Sequence, residues 1–276
     1  MKKRVTSALV GIGLGAPLII FMGPYAVYLF TLIISAGCLY EYFGMVMAKE
    51  YSKDIRLFGV LAGTIALFVS IFDRSYYVGT LAALLIVYCL YFLLRAKTYM
   101  KHLSPSDDAK VGKSFADLSL SIFGIIFFSL FLGYLPLLRD SYEGLKWFML
   151  LMAVVWLGDT GAFFVGGKYG KTKLYPVISP KKTVEGSLGG VLFSLVAAVL
   201  CKLTFFHSMD FIDCFVLGII GGTFGQLGDL VESMIKRSVA VKDSSAVIPG
   251  HGGFFDRFDG IIFAAPFFYF YVKTFF

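Results

Sequence analysis

The chain has 276 residues, 58% of them hydrophobic and 16% charged, with a net charge of +7 and a mean hydropathy of +0.80. Soluble domains run near 45–50% apolar and about 25% charged, so an ordinary soluble domain is excluded. Apolar stretches of about 20 residues recur along the chain, each long enough to cross a hydrocarbon core. Lipid allows only helices or closed barrels to span it, and runs without period-two alternation exclude the barrel. The expected fold class is an all-α polytopic integral membrane protein.

Breaks at Gly, Pro and charge clusters predict about nine transmembrane helices, at 5–22, 25–46, 57–72, 76–94, 115–138, 145–166, 187–206, 211–235 and 260–275. Met1-Lys2-Lys3-Arg4 gives the first run a basic flank, but that run is long and has no small-x-small exit, which reads as a retained helix. Gly23-Pro24 makes the first turn, Asp73-Arg74-Ser75 the third, and Arg139 to Gly144 the fifth. The longer connections are 47–56, 95–114, 167–186 and 236–259, with 101–114 read as a solvated linker. The spans group as an N-terminal scaffold of three helices (1–75), a middle hairpin with cytoplasmic loop 95–114 (76–144), and a C-terminal catalytic region of four helices (145–276). The N-terminus and the four longer connections hold three, three, five, five and four basic residues, 20 of the 25 in the chain. Alternation of nine helices puts all five regions on one face, and the positive-inside rule makes that face cytoplasmic. The N-terminus is then inside and the C-terminus outside. This asymmetry and attraction to anionic head groups account for the net charge; with no basic patch on a soluble domain, a nucleic-acid partner is not expected.

Cys38, Cys89, Cys201 and Cys214 are far apart and lie within or at the edge of apolar runs. They form no CxxC and accompany no histidine cluster, so neither zinc nor a disulfide framework is expected. Residues 1–114 read as scaffold. The chemistry concentrates further on. Asp159 lies inside an otherwise apolar span, and Asp229 and Glu232 lie toward the basic end of the eighth. An ionised group in a membrane helix costs at least about 3 kcal/mol, so it faces a cavity or a partner. Asp229, Glu232, Ser233 and Lys236 are spaced by three, four and seven, which puts them on one helical face. Asp256 and Asp259 sit three apart at the start of the last span. Hard oxygen donors without cysteine or clustered histidine favour Mg²⁺.

Between the acidic pairs, Gly250, Gly252 and Gly253 surround His251, where backbone amides can approach an anion. Lys236, Arg237, Lys242 and Arg257 add donors suited to phosphate. The preceding loop contributes Lys168, Lys171 and Lys173, then Ser179-Pro180-Lys181-Lys182-Thr183-Val184-Glu185-Gly186. Val165 to Thr172 nearly spells a phosphate-binding loop, but Val165 replaces its first glycine and the segment follows a membrane helix rather than a strand.

These residues carry a family resemblance. Ser233-Met234-Ile235-Lys236-Arg237, Lys242-Asp243-Ser244 and Pro249-Gly250-His251-Gly252-Gly253-Phe254-Phe255-Asp256-Arg257-Phe258-Asp259 resemble the C-terminal signature of phosphatidate cytidylyltransferases over 27 residues. Asp159-Thr160-Gly161-Ala162-Phe163, the Ser179 to Gly186 stretch and Gln226-Leu227-Gly228-Asp229 are similar to the family's upstream stretches. The resemblance is specific over about 150–260 and hydropathic before that. It implies the reaction CTP + phosphatidate → CDP-diacylglycerol + pyrophosphate, dependent on Mg²⁺, with room for a second, monovalent cation such as K⁺. It also implies a polytopic fold and a homodimer. CTP is cytosolic and phosphatidate is held in the leaflet, so the expected site lies at the cytoplasmic face of the cell (inner) membrane.

On this reading Asp229, Asp256, Lys236 and Arg257 are the expected catalytic residues. The expected metal set is Asp229 and Asp256, with Glu232 and Asp259 as further ligands or orienters. Lys181, Lys182, Thr183, Glu185, Ser233, Arg237, Lys242, Asp243, His251, Gly252 and Gly253 are the expected substrate and phosphate contacts, and Asp159 is a further site acid. Two other readings stay open: a cation-coupled transporter, which intramembrane acids and glycine breaks also describe, and a related CTP-dependent lipid kinase or a cytidylyltransferase acting on another lipid.

Overall fold

The computed structural model describes residues 23–47, 53–100, 108–242, 244–245 and 252–276, with backbone alone at 96–100 and 108–110. The expected first span (5–22), and the expected contacts Asp243 and His251, lie outside the described residues. The chain order is α1 (Pro24–Val46), α2 (Lys53–Phe72), a 3-10 turn (Arg74–Tyr76), α3 (Tyr77–Met100), α4 (Asp108–Leu132), α5 (Tyr134–Arg139), α6 (Gly144–Tyr169), β1 (Lys173–Tyr175), β2 (Ser179–Thr183), α7 (Val184–Thr204), α8 (Phe211–Ser238) and α9 (Phe255–Phe275). Among the described residues, seven helical stretches are long and apolar enough to cross a membrane. The protein is all-α apart from one small hairpin, and polytopic.

Local chemistry sets the boundaries. Gly23 takes φ +67 before Pro24 opens α1, a left-handed turn that glycine adopts without penalty. Asp73 ends α2 by accepting the Ser75 amide at 3.1 Å. The expected single span 115–138 is interrupted at Gly133, because Pro136 lacks the amide that would continue the ladder. The expected linker 101–114 is shorter than its composition suggests, since α4 is already helical from Asp108. The expected loop 167–186 is ordered as well. α6 runs on to Tyr169, and β1 and β2 pair antiparallel with Lys173 opposite Thr183 and Tyr175 opposite Ser179.

The interior is aromatic and aliphatic. Tyr42, Phe43, Tyr88, Phe128, Trp147, Phe206, Phe255 and Phe268 are fully buried. α1 reaches α9 through Phe30, edge-on to Phe258 at 5.7 Å, and α4 reaches it through Phe128 against Phe255 at 5.0 Å. Large apolar side chains such as Leu188, Leu192 and Leu203 on α7, and Phe211, Ile212 and Phe215 on α8, point outward, as expected where the surrounding medium is hydrocarbon.

Two close approaches position the functional end. α6 and α7 meet along small residues, where a Cβ at Gly190 would lie 3.1 Å from the Gly158 carbonyl oxygen and 2.6 Å from Gln226 Nε2. Ser194 Oγ donates across this seam to the Val154 carbonyl at 2.9 Å. α8 and α9 touch where Gly228 faces the backbone carbonyl of Asp259, leaving no room for a Cβ. Small residues at helix crossings are how membrane helices gain contact, since lipid supplies no hydrophobic drive between them.

Candidate active site

The face predicted on α8 is formed. Lys236 Nζ lies 2.9 Å from Glu232 Oε2, four residues back, and 2.7 Å from Asp256 Oδ1 on α9. One ammonium group therefore ties two helices together. The second Asp256 oxygen accepts from the Ser244 amide at 3.2 Å, Ser244 Oγ at 2.8 Å and the Gly253 amide at 2.8 Å. Gly252, at φ +83, turns the chain into this arrangement. A Cβ there would come within 2.7 Å of Asp256 Oδ2.

Asp229, Glu232 and Asp259 form a second group, each offering one oxygen within 4.8 Å of the others. Glu232 is 2% exposed and Asp259 8%. The extended β2 strand alternates its side chains, so Lys181 faces outward while Lys182 turns in to pair with Asp229 Oδ2 at 2.7 Å. That contact is ionic rather than a directed hydrogen bond, since Lys182 Nζ has no partner of hydrogen-bonding geometry. Ser233 Oγ makes a long 3.4 Å contact with Asp229. Asp159 on α6 lies within the electrostatic reach of Asp229, Asp259, Lys182 and Arg257. Acids from three helices and bases from three elements thus converge.

The donor set fits a divalent cation. Its oxygens are hard ligands, and Glu232 Oε1 is buried with no hydrogen-bond partner among the described residues. A buried carboxylate oxygen left unpaired is costly, and coordination is a direct way to satisfy it. Asp256 is not part of this group; its oxygens are taken by Lys236, Ser244 and Gly253.

Other expected site residues sit nearby with structural partners. Thr183 caps α7, its hydroxyl accepting the Gly186 amide at 3.1 Å. Glu185 accepts the Lys171 and Thr172 amides at 3.0 and 3.1 Å, closing the base of the hairpin. Arg237 Nε reaches the Ile178 carbonyl at a long 3.4 Å, and Lys181, Lys242 and Arg257 are exposed. One acid was overlooked by the sequence reading: Glu41 on α1, 3% exposed, accepts from Ser244, Ser245 and the first amides of α9. The signal was available, since Glu41 is a carboxylate within an apolar run, as Asp159 is.

The model of the Cytidylyltransferase family matches residues 2–275. The chain belongs to this family. It is 33% identical over 267 residues, 96% of each chain, to a phosphatidate cytidylyltransferase of Staphylococcus saprophyticus. It is 33% identical over 268 residues, again 96% of each, to that of Staphylococcus haemolyticus. Over 136 residues, 49% of this chain and 50% of the relative, it is 46% identical to that of Bacillus subtilis. Family membership makes the chain an enzyme, a nucleotidyltransferase.

Proposed function

We propose that this chain transfers CMP from CTP to phosphatidate, giving CDP-diacylglycerol and pyrophosphate for phospholipid synthesis. The observation that carries it is the end-to-end likeness to phosphatidate cytidylyltransferases in a chain whose buried acids and lysines converge at one end of a bundle.

The chemistry needs positioning more than proton removal. A phosphate oxygen of phosphatidate, already anionic, forms a bond to the α-phosphorus of CTP, and the bond to the β-phosphate bridging oxygen breaks to release pyrophosphate. In phosphoryl and nucleotidyl transfer, alignment and charge neutralisation supply most of the rate. Asp229, Glu232 and Asp259 would hold Mg²⁺, with Asp159 in support. When bound there, the ion offsets the charge of nucleotide and pyrophosphate oxygens. Lys182 is poised to exchange its Asp229 contact for a phosphate oxygen, and Arg257, Arg237, Lys181 and Lys242 line the approach as anion donors. Lys236 keeps Glu232 and Asp256 in register. A second, monovalent cation would find oxygen donors in the same cluster.

The finer topology follows from the basic-residue asymmetry: nine spans, N-terminus inside, C-terminus outside, with the site at the cytoplasmic boundary of the cell (inner) membrane. CTP then arrives from the cytosol and phosphatidate from the leaflet. The working unit is a homodimer. The test is to incubate detergent-purified protein with labelled CTP, Mg²⁺ and phosphatidate. CDP-lipid and pyrophosphate are expected, both dependent on phosphatidate. A phosphorylated lipid with CDP would instead identify a lipid kinase, and no lipid-dependent turnover at all would overturn the reading.

A further inference from the structure

We infer that Glu41 is a positioning residue for the transfer: from the N-terminal half of the chain, it sets the start of α9 and the Ser244 segment, and so the placement of Asp256 and Asp259. The inference rests on the reading that these two aspartates serve the reaction.

The geometry is specific. Glu41 Oε1 accepts from Ser245 Oγ at 2.6 Å and the Phe254 amide at 2.9 Å; Oε2 accepts from Ser244 Oγ at 3.0 Å and the Phe255 amide at 2.9 Å. Both oxygens are thus saturated by two hydroxyls and two amides at the opening of α9. More than 200 residues separate Glu41 from Ser244, Ser245, Phe254 and Phe255. The opening amides of a helix have no partner within it, and α9 has no side-chain cap of its own. Glu41 supplies that cap from another helix, its negative charge meeting the positive end of α9. On α1 the same charge is poorly placed, five residues before the helix ends at Val46, so α1 has no local use for it.

Ser244 carries the effect to the site. Its hydroxyl lies 3.0 Å from Glu41 and 2.8 Å from Asp256, while its amide donates to Asp256 at 3.2 Å. One hydroxyl holds one proton, so the two carboxylates share a donor, and moving Glu41 redistributes the bonds on Asp256. Through Asp256 the change reaches Lys236 and Glu232. Gly253 has no space for a side chain, since a Cβ there would collide with Ser244 Oγ and Glu41 Oε2. Phe30 against Phe258 joins α1 to α9 independently, so loss of the Glu41 charge leaves the two helices packed.

The test uses full-length protein in detergent and the variants Glu41→Gln, Glu41→Asp and Ser245→Ala. Three quantities are read: kcat with the KM for CTP, Mn²⁺ affinity by electron paramagnetic resonance, and the rate of tryptic cleavage at exposed Lys242. Glu41→Gln keeps the shape but places an amide donor against donors, and is expected to lower kcat and Mn²⁺ affinity about 10- to 100-fold, the usual effect of disturbing groups that orient metal ligands. Cleavage at Lys242 should quicken. Glu41→Asp, which keeps the charge one methylene short, should recover part of the loss, and Ser245→Ala should show a smaller change in the same direction. A Glu41→Gln protein with wild-type kcat and Mn²⁺ affinity would overturn the inference, even with lowered thermal stability, for that pattern marks a clamp with no bearing on the site. If Glu41→Gln does not purify folded, wild-type values in both Glu41→Asp and Ser245→Ala overturn it. Failure of the wild-type protein to form CDP-lipid would sink the functional reading, while Mn²⁺ affinity and cleavage would still judge Glu41.

Discussion

Lys236 is the residue on which the two charge clusters turn. Its side chain is 12% exposed and pairs with Glu232 at 2% and Asp256 at 11%. Removing one partner of a buried pair strands the other charge, at a cost of about 3–5 kcal/mol. Lys236→Met is therefore expected to lower the melting temperature in detergent sharply and abolish turnover. Exposed Lys242 offers the contrast: Lys242→Met should change stability by no more than about 0.5 kcal/mol. Glu232 tests the cation proposal more directly. Its side chain meets Lys236 and lies against Asp256, Asp229 and Asp259, and Glu232→Gln removes its charge while keeping its shape. Loss of a preorganised electrostatic partner costs about 10²–10³ in kcat, and a matching loss of Mn²⁺ affinity is expected; unchanged affinity would remove Glu232 from the ligand set. Treatment with a chelator should silence the wild-type enzyme reversibly, with Mg²⁺ restoring activity.

At the scale of elements, the site depends on how closely helices approach and on where they start. α8 meets α9 through Gly228, whose missing side chain admits the Asp259 carbonyl. Gly228→Ala forces the helices apart beside Asp229, Glu232 and Asp259. Overpacking of this kind costs about 1–3 kcal/mol, and activity should fall further than stability, because the carboxylates must stay within 4.8 Å of one another. The β-hairpin plays a different part. Thr183 caps α7 and Glu185 ties its base, fixing the strand that turns Lys182 toward Asp229. Thr183→Val is expected to lose about 1 kcal/mol of stability with its cap and to weaken CTP binding, seen as a raised KM. Both residues thereby shape the segment that carries Lys182.

Over the whole molecule, the outward leucines and phenylalanines and the seven apolar helical stretches among the described residues require a membrane, and the proposed orientation within it rests on the basic loops. A cysteine placed at exposed Lys173 in the hairpin should react with a membrane-impermeant maleimide in inside-out vesicles and not in sealed right-side-out ones. Cys38, Cys201 and Cys214 are buried and Cys89 is half-buried within α3; the protein without the added cysteine gives the background. Labelling from the outer face alone would invert the proposed topology and separate the site from its nucleotide.

The fold class was legible because burying apolar surface in lipid is a property of composition and run length, which a sequence displays directly. The α8 face was legible because helical periodicity is local: residues three and four apart must share a side. Even so, periodicity did not distinguish Asp256 from Asp259. Both lie on α9, about 60° apart around its axis, and only the position of α8 sends one to Lys236 and the other to Asp229 and Glu232. The hairpin at 173–183 and the reach of Glu41 to Ser244 were hidden for the same reason. Such contacts join segments remote along the chain, and their existence depends on how tightly glycine seams let the helices close. The sequence by itself determined the membrane class and the inventory of charges; the tertiary structure decided which charges meet, because partners across helices are selected by packing distance, which no local spacing encodes.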